Sequence, residues 1–355
     1  MAGITDGPYR QLCHSYGGGL YVSEMVTSRA LVERNADTIQ MVQPAPGVTP
    51  RSVQLYGVDP FYVGEAVRYL VGEGLVDHID LNFGCPVPKV TRKGGGAALP
   101  YKRPLLRAVL RAAVGAAGDV PVTMKTRKGI DNAHLTYLDA GQIAQDEGVA
   151  AIALHARTAE QHYSGVADWA AIGELKARVS IPVLGNGDIW TAADALAMVA
   201  QTGCDGVVVG RGCLGRPWLF RDLDLAFRGE VVDTVVPLGF VREVWRRHAA
   251  LMADEYGEPK GCRELRKHAS WYLKGYPVGS ALRQSLGMVS TLAELDDLLA
   301  VLDPTGLPTA DATTTPRGRQ GSPRRVTLPE GWLDDPFDET CLACEDDAEL
   351  AVSGG

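Results

Sequence analysis

Cys85 sits three residues after Asn82, between Gly84 and Pro86, where the apolar run 78–83 stops. Gly84 gives the backbone a turn that lets another molecule approach closely, and Pro86 stiffens the turn that presents the thiol. Basic residues follow at Lys89, Arg92 and Lys93, then three glycines, 94–96. A thiol at a strand end beside cationic side chains serves as a proton donor or a nucleophile. The plain alternative for a lone cysteine is a small core residue, and the Asn-x-x-Cys-Pro setting weighs against it.

Other polar residues stand at or near the ends of apolar runs. Gln54 lies between apolar neighbours in 53–57, and Lys125 lies in 120–127, where a buried ammonium is costly without an anion. His155 and Arg157 close 150–158, Asn186, Gly187 and Asp188 close 182–187, and Gly210 and Arg211 close 206–212. Each taken singly could be a satisfied structural group. Together they describe a surface on which Lys125 would face an anionic ring and Cys85 the far side of a substrate. Glycines at the last two strand ends match a backbone phosphate site. No P-loop and no GxGxxG after a first strand are present, so a Rossmann dinucleotide site is not indicated.

The elements that must hold these residues are strands at 20–25, 53–57, 78–83, 120–127, 150–158, 182–187 and 206–212. Helical patterns lie between most of them, among them 104–116, 137–147, 169–178 and 192–201. Near-continuous apolar strands alternating with amphipathic helices predict a parallel sheet buried on both faces. The fold expected is an α/β TIM (β/α)8 barrel over residues 1–230, with catalytic groups at the strand C-termini. Seven strands are visible. Residues 1–10 read as a strand end and loop leading into a helix, so the first strand is expected to be truncated, its missing part lying upstream. After residue 230 the strands stop, and helices are expected at 240–256, 261–273, 280–287 and 291–302, a helical domain over 231–302. Beyond Asp303 the composition turns to Pro, Thr, Gly and acidic residues, for which disorder over 303–355 is the default.

The chain has 355 residues, 46% of them hydrophobic, enough for one large and one small domain. No apolar run approaches a membrane span, and no signal peptide is visible. Seven scattered cysteines argue against a disulfide framework and for a reducing, cytoplasmic compartment. Cys341 and Cys344 have the spacing of half a zinc site, but no second pair stands nearby, so no metal is expected. The net charge of −8 is concentrated in the tail, where eleven acidic residues face four basic ones from Asp303 to Gly355. By contrast, 238–285 carries nine Lys/Arg against five Asp/Glu, including Arg246, Arg266 and Lys267, with Trp271 and Tyr272 close by. Cations beside aromatics fit RNA binding as well as a solvated face.

The chain resembles the bacterial tRNA-dihydrouridine synthases, in particular their B-type branch, from Met1 to about Leu302. The motifs that carry the resemblance are Met1-Ala-Gly-Ile-Thr-Asp6, Ser23-Glu-Met25, Val53-Gln-Leu55, Asp80-Leu-Asn-Phe-Gly-Cys-Pro86, Lys89-Val90, His155-Ala-Arg-Thr158, Asn186-Gly-Asp-Ile189 and Gly210-Arg-Gly-Cys-Leu-Gly-Arg-Pro-Trp218. The segment 266–273 also resembles the branch's helical domain. The resemblance implies an FMN-binding barrel and a helical tRNA-binding domain. It also implies reduction of the C5=C6 bond of a D-loop uridine to 5,6-dihydrouridine, with NADPH or NADH as reductant. Hydride would pass from FMN N5 to C6, and Cys85 would protonate C5. By motif, Met1, Ala2, Gln54, Lys125, His155, Asn186, Gly187, Asp188, Gly210 and Arg211 are expected at the flavin. Asn82, Arg157, Arg246, Arg266 and Lys267 are expected at the tRNA, with Asn82, next to the thiol, orienting either the base or the cysteine loop, and no protein partner is implied. The family places a proline before the methionine that corresponds to Met1, and this chain has none there. The rival readings are a barrel flavoenzyme for a small dihydropyrimidine or enoate, and an RNA-binding protein without catalysis.

Overall fold

The computed structural model describes residues 1, 3–318 and 320–339. Seven strands form one parallel sheet in sequential order: β1 Val22–Thr27, β2 Ser52–Tyr56, β3 His78–Phe83, β4 Val122–Arg127, β5 Ala151–His155, β6 Val183–Asn186 and β7 Gly206–Val207. Purely parallel pairing forces a crossover between neighbours, and helices supply it, including Pro60–Gly72, Arg103–Ala117, Tyr137–Asp146, Ala170–Arg178 and Ala192–Thr202. Their inner faces bury Leu, Val and Ala, such as Val63, Val67 and Leu70, or Leu106, Val109 and Leu110. This is the architecture of a TIM barrel with seven strands among the described residues.

The register aligns the strand ends. Gln54 stands opposite Asp80, Asn82 opposite Lys125, Arg127 opposite His155, and His155 opposite Asn186. In parallel strands, residues in register share a face, so one rim collects the polar residues of five strands. The expected strand 206–212 is only Gly206–Val207. Val208 N–H still bonds Gly185 O at 2.8 Å, but β7 is an edge with pairing on one side only, and the chain turns into a 3-10 helix at Arg211–Cys213.

The helical segment expected at 261–273 is three pieces: Glu258–Leu265, the 3-10 turn Arg266–His268, and Ala269–Tyr272. The long helix Leu238–Tyr256 packs on the barrel's first helix, Gly7–His14. The contact is aromatic. Tyr9 sits 5.3 Å from His248 and 5.4 Å from His268, and donates its hydroxyl proton to Cys213 O at 2.6 Å. Trp245 stacks on Tyr272 at 5.1 Å.

Disorder from Asp303 onward is not what the described part of the tail shows. Residues 303–318 and 320–339 form a strap along the C-terminal rim of the barrel. Arg317 is buried and donates to Leu214 O and Trp271 O. Arg324 N–H bonds Glu160 O at 2.9 Å. Trp332 is 3% exposed, and its indole N–H bonds Ala98 O at 3.1 Å. Lys102 reaches Asp335 O at 2.7 Å and Asp338 at 3.1 Å. A few anchors suffice where composition alone reads as disorder, because one buried indole offsets the ordering of several residues. Cys341 and Cys344 lie outside the described residues.

Candidate active site

The cysteine loop hangs from a chain of hydrogen bonds that begins inside the sheet. Ser52 Oγ bonds His78 Nδ1 at 2.8 Å, and His78 Nε2 bonds Thr123 Oγ1 at 2.9 Å. Thr123 then donates to Asp80 at 2.7 Å, and Gln54 donates to the other Asp80 oxygen at 2.6 Å. Asn82 donates to Gln54 Oε1 at 2.8 Å and accepts the N–H groups of Gly84 and Cys85, each at 3.0 Å. Burial lowers the His78 pKa to about 4, which keeps the ring neutral; because Thr123 spends its proton on Asp80, it accepts from His78 Nε2–H, and Nδ1 accepts from Ser52. Burial also raises Asp80, against the two hydrogen bonds that favour its charge.

From the opposite side, Arg127 donates to Gly84 O at 2.8 Å and to Thr158 O and His162 O at 3.0 and 2.8 Å. It ties the cysteine loop to the loop after β5. Behind Cys85, Ala97 N–H bonds Cys85 O at 3.0 Å. Gly96, at φ +53°, leaves no room for a Cβ, which would stand 2.5 Å from that carbonyl. Burial pushes the Cys85 thiol above its ordinary range; the Val87 N–H, Arg127 and the Met1 amino group oppose that. A thiol so placed stays protonated at neutral pH, as a proton donor must.

The other half of the rim is cationic. Lys125 has no hydrogen bond or ion pair with any described residue, and burial, then Arg127, lower its pKa to about 8, with Asp80 opposing. His155 is buried and driven well below its ordinary range by burial, then by Arg127, Lys125, Arg157 and Arg211. Arg211 lies over Tyr163 at 4.2 Å and Trp190 at 5.1 Å. Asn186 donates to Val208 O at 2.7 Å. Gly187, at φ +127°, accepts the Trp169 indole N–H at 2.9 Å, and a Cβ on Gly210 would meet nothing within 4 Å. Met1 joins this rim: burial lowers its amino pKa, Glu24 opposes that, and Lys125 and Cys85 are within electrostatic reach. Ala2 lies outside the described residues.

Three expected substrate or cofactor residues have structural duties. Asp188, at φ +55°, accepts Arg157 Nη2 on both oxygens at 2.8 and 2.7 Å, and also the Ala167 N–H at 2.7 Å. Arg157 is 1% exposed and also bonds Ser164 O and Gly165 O, so its Nη2 and Nε are occupied, while Nη1 is buried without a partner. Asn82 holds the cysteine loop with its whole carboxamide. On the helical region, Arg246 pairs with Asp296 at 2.5 Å, Lys267 with Glu264 at 2.9 Å, and Arg266 bonds Val289 O and Ser290 at 2.9 and 3.0 Å.

Sequence reasoning gave no role to Asp80 and Arg127. Both were detectable by period 2, since Asp80 shares a strand face with Asn82, and Arg127 with Lys125.

The residues fit a phosphorylated flavin. Lys125, with no hydrogen bond or ion pair among the described residues, and Arg211, stacked on Tyr163 and Trp190, stand at strand ends of the rim that also carries Gly187 and Gly210, and such donors suit an anionic ring and a phosphate.

A profile of the dihydrouridine synthase (Dus) family matches residues 1–305. The chain belongs to the dihydrouridine synthase family. Members similar to it include a probable tRNA-dihydrouridine synthase of Mycobacterium tuberculosis, 58% identical over all of this chain and 93% of the relative. That of Mycobacterium leprae is 54% identical over all of this chain and 99% of the relative. The tRNA-dihydrouridine synthase B of Xanthomonas campestris is 39% identical over 82% of this chain and 87% of the relative. Among solved structures, histamine dehydrogenase from Rhizobium sp. 4-9 aligns at 13% identity over 72% of this chain and 46% of its own, with a TM-score of 0.48. The old yellow enzyme homologue from Zymomonas mobilis aligns at 13% identity over 65% and 84%, with a TM-score of 0.45. Among the described residues, no helix is long and apolar enough to cross a membrane.

Proposed function

We propose that this chain is a tRNA-dihydrouridine synthase that reduces the C5=C6 bond of a D-loop uridine, with FMN as cofactor and NADPH or NADH as reductant. Lys125, His155, Arg211 and the backbone around Gly187 and Gly210 would hold FMN; when bound and reduced, the flavin supplies hydride to C6. The chain's own contribution is the proton. Hydride addition at C6 leaves negative charge on C5 and O4, and Cys85 delivers its proton to C5 as general acid. Asn82 and Arg127 fix where the thiol stands, so the proton arrives on the face opposite the hydride donor. Lys125 carries positive charge beside the ring at neutral pH and stabilises its anionic reduced form.

A uridine inside folded tRNA must leave its stack to reach this rim, at a cost of about a few kcal/mol. Residues 231–302 would supply compensating phosphate contacts through Arg246, Arg266 and Lys267. The ion pairs of Arg246 and Lys267 are exposed and worth about 0–1 kcal/mol each, so phosphates can displace their carboxylates, while Arg266 is held by Val289 O and Ser290.

The observation that carries this reading is the Cys85 loop, held by Asn82 and Arg127 at the same rim as Lys125, which has no hydrogen bond or ion pair among the described residues. Cys85→Ala tests it. NADPH should still bleach the bound flavin, while dihydrouridine formation in tRNA, measured by mass spectrometry, falls about 10²–10⁴-fold. Product at the wild-type rate would remove Cys85 from the chemistry.

A further inference from the structure

All but the first three residues of the strap lie beyond residues 1–305, the span matched by the family profile, yet it touches three loops that build the rim. At its start, Lys274 donates to Thr315 O and Pro316 O at 3.0 and 2.6 Å, and Arg317 is sunk against Leu214 and Trp271. Gly318 follows at φ +71°, where a Cβ would stand 3.2 Å from Leu214 and 3.5 Å from the Arg211 side chain. In its middle, the Arg324 backbone pairs with Glu160. That loop carries Tyr163, which sits under Arg211. At its end, Trp332 and Lys102 fasten it beside the cysteine loop.

Between these anchors the strap exposes two adjacent arginines, Arg324 and Arg325. Neither guanidinium makes a hydrogen bond or an ion pair with a described residue. The contrast with Arg246, Arg266 and Lys267 is direct, since each of those already has a partner. Among the described residues of the strap, Asp303 and Asp311 precede the pair, and Glu330, Asp334, Asp335, Asp338 and Glu339 follow it, with Asp335 O and Asp338 engaging Lys102. Among the described residues no carboxylate is paired with either guanidinium, and Arg324 lies within reach of His162, whose pKa it helps to lower.

We propose that Arg324 and Arg325 bind backbone phosphates of the tRNA at the rim of the mouth, next to the nucleotide drawn into the site. The inference rests on the tRNA reading above and adds to it a binding surface outside the helical region. A guanidinium offers two parallel N–H donors to a phosphate, and a strap anchored on both sides loses little freedom on binding.

The test uses the full-length holoenzyme with Arg324→Ala/Arg325→Ala, and with Arg324→Lys/Arg325→Lys as the charge-conserving control. tRNA affinity is measured by anisotropy across a salt series, with flavin reduction by NADPH followed separately. The alanine pair should weaken tRNA binding roughly tenfold and reduce the magnitude of the log–log salt slope by about one to two. It should raise KM for tRNA with little change in kcat and leave flavin reduction in the absence of tRNA unchanged. The lysine pair should restore most of the slope. Wild-type affinity and slope in the alanine pair, with an active parent, overturn this inference alone. A parent enzyme that neither binds tRNA nor makes dihydrouridine overturns the functional reading itself.

Discussion

The two halves of the rim are built in opposite ways. On the cysteine side every polar group is spoken for. Six side chains from Ser52 to Asn82 pass hydrogen bonds along β2, β3 and β4 to the Cys85 amide. Arg127 closes the loop from the other side. On the cationic side, among the described residues, Lys125 has no hydrogen-bonding partner and Arg157 keeps a buried nitrogen without one. A satisfied buried network is rigid; an unsatisfied cationic one is costly until an anion arrives. On the function proposed above, one half would position a proton donor, and the other would be completed by the anion that binds to it.

The sharpest way to break this contrast is Asn82→Ala. It leaves the Gly84 and Cys85 N–H groups without an acceptor and lets the thiol wander. Turnover should fall about 100-fold, while FMN affinity, read by fluorescence quenching, stays within about twofold of wild type on the same argument. A comparable loss of FMN affinity would show that the halves are not separate.

The reciprocal change is Lys125→Met. FMN binding should weaken about 10- to 100-fold, the scale of one hydrogen bond to a charged group, while alkylation of Cys85 by iodoacetamide keeps its wild-type rate. The sign of the pH dependence follows from the Lys125 pKa of about 8. Below it the ammonium is charged and attracts the anion; above it the amine is neutral. FMN affinity should therefore fall as pH rises through 8. Lys125→Arg, charged throughout, should abolish that fall. A wild-type affinity flat from pH 7 to 9 would exclude Lys125 as the cation at the flavin.

The smallest effect belongs to Thr123→Val, far back in the cysteine-side chain. It removes a donor from the buried Asp80 carboxylate, so stability in urea should drop by about 1–3 kcal/mol. Turnover at 25 °C should change only a few-fold, because Gln54 still holds Asn82.

The sheet was legible because buried parallel strands are apolar on both faces, and β3 was read to the residue. β7 was overextended because 208–212 remain apolar and glycine-rich although nothing described pairs with their outer edge. Cys85, Lys125 and His155 were legible as polar interruptions of apolar runs. The hold of Asn82 on the cysteine loop was legible from its place beside the thiol; the duties of Asp188 and Arg157 were not, since a motif names residue types and says nothing of which neighbour they grip. The strap was illegible for another reason. Its order depends on Trp332 and Arg317, two residues in a segment whose average composition is that of a solvated chain.

Trp332 also sets a schedule. A Cβ on Gly94 would collide with its ring, and its indole N–H caps Ala98, in the turn that holds the Cys85 carbonyl. The reactive loop is translated within the first third of the chain, but its outer wall is made more than two hundred residues later. A nascent chain on the ribosome thus carries the Cys85 loop without this wall until synthesis has passed residue 332 and the strap has folded back.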